Sequence, residues 1–237
     1  MSALPPTLPD VSLPPIEQPA DLDEVRRSYD RIADNYVAMN LGDVESHPWL
    51  RAAVDAFADT VRDLGPVVDV GCGPGMVTAY LAKLGVDVRG VDLSPRMIEH
   101  ARRLHPGLRF DVSSATELQL ADSSLGGILG WWSLFNLPRS VLPAVLARYF
   151  RALVPGGHAI IATHVGDEDV LRTEAYGGVP VRWTTHRWQP EQLSTLLAQT
   201  GFEPVAELRL APTEQIGPGV VLVARRPVER DQDPDRR

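Results

Sequence analysis

Apolar residues recur at helical spacing in two stretches near the start of the chain, DLDEVRRSYDRIADNYVAM and HPWLRAAVDAFADTVRDLG. Polar caps or breaks bound both, so two helices are predicted before the first strand. Beyond residue 66 the period changes. Short β-branched runs at Val67–Val70, Val86–Val91, Leu108–Val112, Gly127–Gly130 and His158–Thr163 alternate with helical stretches, which predicts a βαβ series and a parallel sheet. Glu191–Thr200 reads as one more helix. GFEPVAELRLA and GVVLVARR read as two final strands, antiparallel to each other.

Composition narrows this to one domain. At 237 residues with 44% hydrophobic content, the chain can bury a single sizeable core. A net charge of −8 and a pI near 5.2 argue against a general phosphate-backbone binder, so nucleic acid is not an expected partner. Cys72 is the only cysteine, which rules out an internal disulfide and a cysteine metal cluster and suits a reducing cytoplasm. Residues 1–20 are proline-rich and lack both a basic start and a continuous apolar run. They read as a disordered or extended arm, neither signal peptide nor membrane anchor. Residues 228–237, charged and proline-broken, read as a loose tail. The domain is expected over 21–227, with helices in 21–64 ahead of the sheet and an insertion at about 166–189.

The densest chemical signal is VVDVGCGPG, residues 67–75. Gly71, Gly73 and Gly75, directly behind a strand, mark a turn where backbone approaches a ligand. In an open parallel sheet that crevice lies beyond the carboxyl ends of the strands, beside the first one. The following helix, MVTAYLAKLG, offers free N–H groups at its start. A dinucleotide fingerprint requires glycine where Met76 stands, so the spacing is G-x-G-x-G with Asp69 two residues ahead. A carboxylate there repels a pyrophosphate and attracts a cation, such as an ammonium group or a sulfonium-bearing amino acid. VDVRGVD ends in Asp92, the position from which an acid grips ribose hydroxyls.

Joined at this separation, D-x-G-x-G-x-G and VDLSPRMIEHARR resemble class I S-adenosylmethionine-dependent methyltransferases, over about residues 28–227. The resemblance implies an α/β fold: a Rossmann-like, seven-stranded, mostly parallel sheet with helices on both faces, an antiparallel last strand and an N-terminal helical lid. It implies S-adenosylmethionine as cofactor, S-adenosylhomocysteine as product and a small-molecule methyl acceptor as partner. Within SYDRIADNY it places Tyr29 and Tyr36 over the methionine moiety, although core packing explains their spacing equally well. Leu93 and Met97 fall against the adenine faces, and Ser114 and Ala115 at its edge. Trp131 and Trp132 follow the fourth strand and cannot point the same way; Trp131 is taken as facing the pocket. Within the family the sequence is most similar to actinobacterial small-molecule enzymes, including those that methylate sugars in natural-product pathways.

Methyl transfer asks the protein to align a nucleophile, exclude water and manage one proton. An alcohol benefits from a general base, so the histidines matter. His47, His100, His105 and His158 read as structural or solvated. His164, where the fifth strand opens into a loop, and His186 in RWTTHRW are the candidate bases. An unperturbed His164 predicts a rate that rises through about pH 6.5. Asn136 stands where many sugar-modifying relatives carry histidine in a segment like SLIH. Tyr176, Trp183 and Trp188 offer aromatic planes for a polar, ring-shaped acceptor. Asp167, Glu168 and Asp169 could contribute to a Mg²⁺ site beside His164, but such runs are usually solvated and a metal is not expected. The expected activity is methylation of a hydroxyl on a small polar metabolite, such as a sugar. Amine methylation and a catalytically silent cofactor-binding protein are the alternatives; the oligomeric state stays open.

Overall fold

The computed structural model describes residues 15–41, 43–212 and 217–228. Its main sheet has seven strands: β1 (Val67–Val70), β2 (Val88–Asp92), β3 (Arg109–Val112), β4 (Leu125–Trp131), β5 (Leu153–His164), β8 (Glu203–Leu210) and β9 (Gly219–Arg225). They lie in the order β3-β2-β1-β4-β5-β9-β8. β1 pairs in parallel with both β2 and β4, so the order reverses at β1 and leaves a crevice beyond its carboxyl end. β9 runs antiparallel to β5 and β8. This is the Rossmann-like sheet that the strand periodicity and the resemblance predict. β6 (Val170–Ala175) and β7 (Val179–Thr185) form a separate antiparallel hairpin within the insertion.

Neighbouring residues on each central strand turn to opposite faces and divide the core. Val68, Ile128 and Ile161 pack with α5 (Leu142–Ala152) and α6 (Pro190–Gln199) through Leu146, Tyr149, Leu193 and Leu197. On the other face, Val67, Leu129 and Ile160 meet α2 (Pro48–Val61) and α3 (Met76–Lys83) through Val54, Phe57 and Leu81. Truncating any of these fully buried leucines to alanine costs about 2–5 kcal/mol. Local signals set the helix ends. Ser94 caps α4 (Pro95–Leu104) by accepting from the Met97 N–H at 3.1 Å, and Gln189 and Gln192 form a capping box at the start of α6.

Of the two N-terminal helices, α2 belongs to the wall of the sheet, whereas α1 (Leu22–Ala38) packs between the hairpin and α4. The Ser28 hydroxyl accepts from the Arg182 N–H at 2.9 Å, and Asn35 Nδ2 donates to the Tyr176 carbonyl at 2.9 Å. Towards α4, Asp30 accepts from Ser94 Oγ at 2.6 Å, and Asp34 pairs with His100 Nε2 at 2.7 Å. His100, expected along a surface helix, is therefore buried, because α1 covers that side of α4.

The arm expected through residue 20 is packed over its last part. Pro19 is buried, and Ile16 lies half-buried against the main core. Residues 1–14 and the tail from 229 onward lie outside the described residues. Among the described residues no helix is long and apolar enough to cross a membrane.

Candidate active site

The turn after β1 is built by two glycines with different tasks. Gly71 has φ +74°, and a Cβ there would fall 2.2 Å from Ser133 Cβ, so only glycine lets the β1 and β4 loops close. Ser133 Oγ then donates to the Val70 carbonyl at 2.5 Å. Gly73 has φ +55°, and nothing stands within 4 Å of where its Cβ would point. Packing does not demand that glycine; the backbone conformation does, and the space beside it stays open. Gly75 does not line the cavity, because its Cα faces Phe110 at the foot of the turn.

A cavity of about 700 Å³ opens over this turn. Asp69 lines it from the end of β1, 1% exposed, with Oδ2 accepting from Thr78 Oγ1 at 2.7 Å. Its Oδ1 is buried and has no partner among the described residues. Burial pushes the Asp69 carboxyl up to about 6, against the Thr78 hydrogen bond that lowers it. Asp92, at the end of β2, accepts from the Gly73 N–H and the Ser94 N–H, each at 2.8 Å. Burial also pushes this carboxyl up to about 6, with both backbone donors opposing. Two carboxylates therefore face one cavity. One has an empty acceptor oxygen, and the other is fixed in orientation by backbone.

Most of the residues expected around a cofactor converge here. Tyr29, Tyr36, Leu93, Met97, Ser114, Ala115 and Trp131 all line the cavity with Asp69, Gly71, Gly73 and Asp92. Tyr29 accepts a hydrogen bond from Asn136 Nδ2 at 2.9 Å, and the Asn136 Oδ1 is buried without a partner among the described residues. Trp132 lines the cavity as well as Trp131, where the alternation along a strand predicts only one of them. The reason is local: Trp132 adopts φ +52°, which breaks the alternation and is costly for a residue with a Cβ.

On the acceptor side, His164 and Tyr176 line the cavity, and His186, Trp183 and Trp188 do not. Tertiary contacts consume the last three. Trp183 stacks on Tyr29 with ring centroids 4.9 Å apart and planes 14° from parallel. Trp188 carries the Arg139 guanidinium 4.3 Å from its ring centroid. His186 Nδ1 pairs with Asp169 Oδ2 at 2.6 Å. The His164 ring sits 5.0 Å from Trp132 and 4.9 Å from Phe135. Burial drops its pKa to about 4, assisted by Arg172 and Arg187. It is therefore neutral at physiological pH, and a titration near 6.5 is not its own. His47 and Trp49 also line the cavity, from the start of α2. The sequence reading set His47 aside, because a histidine before a proline at a helix start has no local mark of a site. Among the described residues no group of three or more His, Cys, Asp or Glu is placed to hold a metal ion.

Residues 67–157 match the family model described as a methyltransferase domain. A demethylmenaquinone methyltransferase of Beutenbergia cavernae is 35% identical over 142 residues, which cover 59% of this chain and 55% of that protein. The chain thus spans little more than half the length of such curated relatives. The cyclase SpnF shares the fold with a TM-score of 0.67 and 18% identity, over 90% of this chain and 98% of that one. A Burkholderia thailandensis 1,6-didemethyltoxoflavin-N1-methyltransferase, crystallised with 1,6-didemethyltoxoflavin and S-adenosylhomocysteine, has a TM-score of 0.57 and 22% identity, over 90% and 94% of the two chains. The match over residues 67–157, the glycine turn, the acids at β1 and β2 and the strand order agree with a methyltransferase domain that uses S-adenosylmethionine. The residues present fit that cofactor. The unpartnered Asp69 Oδ1 suits its ammonium group, Asp92 suits its ribose, and the open side of Gly73 leaves room between them.

Proposed function

We propose that the chain transfers a methyl group from S-adenosylmethionine to a hydroxyl on a planar, largely apolar ring of a small molecule. The supporting observation is that one cavity runs from Asp69 and Asp92 to a wall of Trp49, Leu50, Trp131, Trp132, Phe135 and His164. Bound cofactor supplies an electrophilic methyl group. Asp69 and Asp92 hold its two polar ends, Leu93 and Met97 take the adenine faces, and Tyr29 with Asn136 closes the methionine side.

The low pKa of His164 favours an acidic hydroxyl over a sugar hydroxyl as the acceptor. A base with a pKa of about 4 is mismatched to a phenol-like hydroxyl of pKa ~10 by about 8 kcal/mol, and to a water-like hydroxyl of pKa ~15.7 by about 16 kcal/mol. A neutral His164 that accepts its hydrogen bond assists the more acidic hydroxyl better. Of the aromatic planes expected for a sugar, Trp183 and Trp188 are already engaged, and Tyr176 lines the cavity. An amine acceptor is the second reading, favoured by the same weak base, because a neutral amine needs no proton removed before attack.

The test is a transfer screen with methyl-labelled cofactor over planar phenols and enols, saccharides and amines. Label in the planar hydroxylated compounds is expected. Label confined to saccharides overturns the proposal, and label confined to amines selects the second reading. Tight binding of S-adenosylhomocysteine with transfer to nothing marks a silent cofactor-binding protein.

A further inference from the structure

The last residues before α1 take part in the same cavity. Pro19, Asp21 and Leu22 line it together with Ser113, Ser114 and Ala115, the residues just beyond β3. The segment is tied down at three points. Ile16 packs against the main core, Pro19 is buried, and Thr116 Oγ1 donates to Gln18 Oε1 at 2.7 Å. That last bond has a consequence for Ser114. Since Thr116 uses its proton on Gln18, the 2.7 Å contact between the two hydroxyls makes Ser114 the donor. Ser114 Oγ also accepts from the Thr116 N–H at 3.2 Å. Its hydroxyl is committed to its own turn and has no proton left for a ligand.

Asp21 is in the opposite condition. It occupies the N-cap position of α1, where an aspartate normally accepts from the helix's first N–H groups, yet its side chain makes no cap hydrogen bond. Asp21 is solvent-exposed, its carboxylate has no partner among the described residues, and it lines the same cavity as the committed Ser114. We propose that residues 16–21 form the outer wall of the adenine end of the cavity, and that Asp21 accepts a hydrogen bond from the exocyclic amino group of the base. This rests on the cofactor assigned above. It makes the segment before α1 a determinant of which nucleoside the site takes: adenosine, with a donor at that position, over inosine, with a carbonyl oxygen there that a carboxylate repels.

The test measures calorimetric affinity of the full chain for S-adenosylhomocysteine and for its inosine counterpart. The wild type should favour the adenine compound by about tenfold or more. Asp21→Ala should weaken the adenine compound by about 3- to 10-fold, the range of one partly solvated hydrogen bond, and leave the inosine compound unchanged or tighter. Asp21→Asn, which keeps an acceptor oxygen but adds an N–H donor for the inosine carbonyl, should retain most of the affinity for the adenine compound and lose much of the preference. Gln18→Ala, which unties the segment from Thr116, should weaken the adenine compound as well. A merely structural role for Asp21 at the helix start lowers both affinities alike, and that result, or no change in a folded Asp21→Ala, overturns the assignment. Affinity for the adenine compound lost as fully in Asp21→Asn as in Asp21→Ala overturns it too. A wild type that binds neither compound overturns the cofactor reading and this inference together.

Discussion

Asp69→Asn separates the cost of the site from its use. The substitution keeps the side-chain shape and an oxygen to accept from Thr78, but removes a charge that is 1% exposed and has one oxygen unpartnered. In the cofactor-free protein that charge is a liability. With its pKa at about 6 against an ordinary 3.8, the ionised carboxylate destabilises the fold at pH 7.5 by on the order of 2–3 kcal/mol. The sign follows from proton counting. Between pH 4 and 6 the folded state binds more protons at this group than the unfolded chain, so the group's contribution to stability falls as pH rises and is flat above about 6. The amide has its own burial cost, so a net gain of about 1 kcal/mol is expected, or a rise of about 3 °C in Tm. Binding should move the other way. Loss of a charged acceptor opposite an ammonium group weakens S-adenosylhomocysteine by about 1.5–3 kcal/mol, some 10- to 150-fold. Wild-type affinity should rise from pH 5 to pH 7 by about tenfold as Asp69 ionises and further as Asp92 does, and the mutant should lose the Asp69 share and keep that of Asp92. Thermal melts and calorimetry at several pH values check both halves. Unchanged affinity in Asp69→Asn, or a lowered melting temperature with no ligand present, would refute the placement of the ammonium group.

Two further predictions follow from the turn and from the acceptor wall. Gly71→Ala forces a Cβ to within 2.2 Å of Ser133 Cβ at φ +74°, so it should cost more than about 2 kcal/mol in a thermal melt and remove measurable S-adenosylhomocysteine binding; wild-type stability and affinity would show that the β1 and β4 loops are not locked together. For His164, whose pKa lies at about 4, kcat on an accepted substrate should show no inflection at 6.5 attributable to this group, and His164→Ala should lower kcat by about 10-fold while leaving cofactor affinity unchanged; a His164-dependent inflection near 6.5 in a pH–rate profile counts against the buried, neutral ring.

What the amino-acid sequence determined unaided is the local part of this protein. β-branched runs at a strand period, the glycine spacing in VVDVGCGPG and an acid ending each of the first two strands are short-range features. Backbone geometry reads them directly, so the seven-stranded sheet and the positions of Asp69 and Asp92 were legible. The hairpin of β6 and β7 was not, because LRTE is too polar to mark a strand, and its docking against α1 and residues 134–136 helps to hold it. The tertiary structure alone decided which aromatic residues remain free. Trp183 and Trp188 look available in sequence, and they are taken by Tyr29 and Arg139 from 154 and 49 positions away. It also decided the state of His164, since a pKa depends on desolvation by Trp132 and Phe135, neither of which is its neighbour in the chain. The same holds for His47, Trp49 and Asp21. Each stands at the cavity only because a helix start far from the glycine turn folds back onto it, and pairings of that range leave no periodic mark in a sequence.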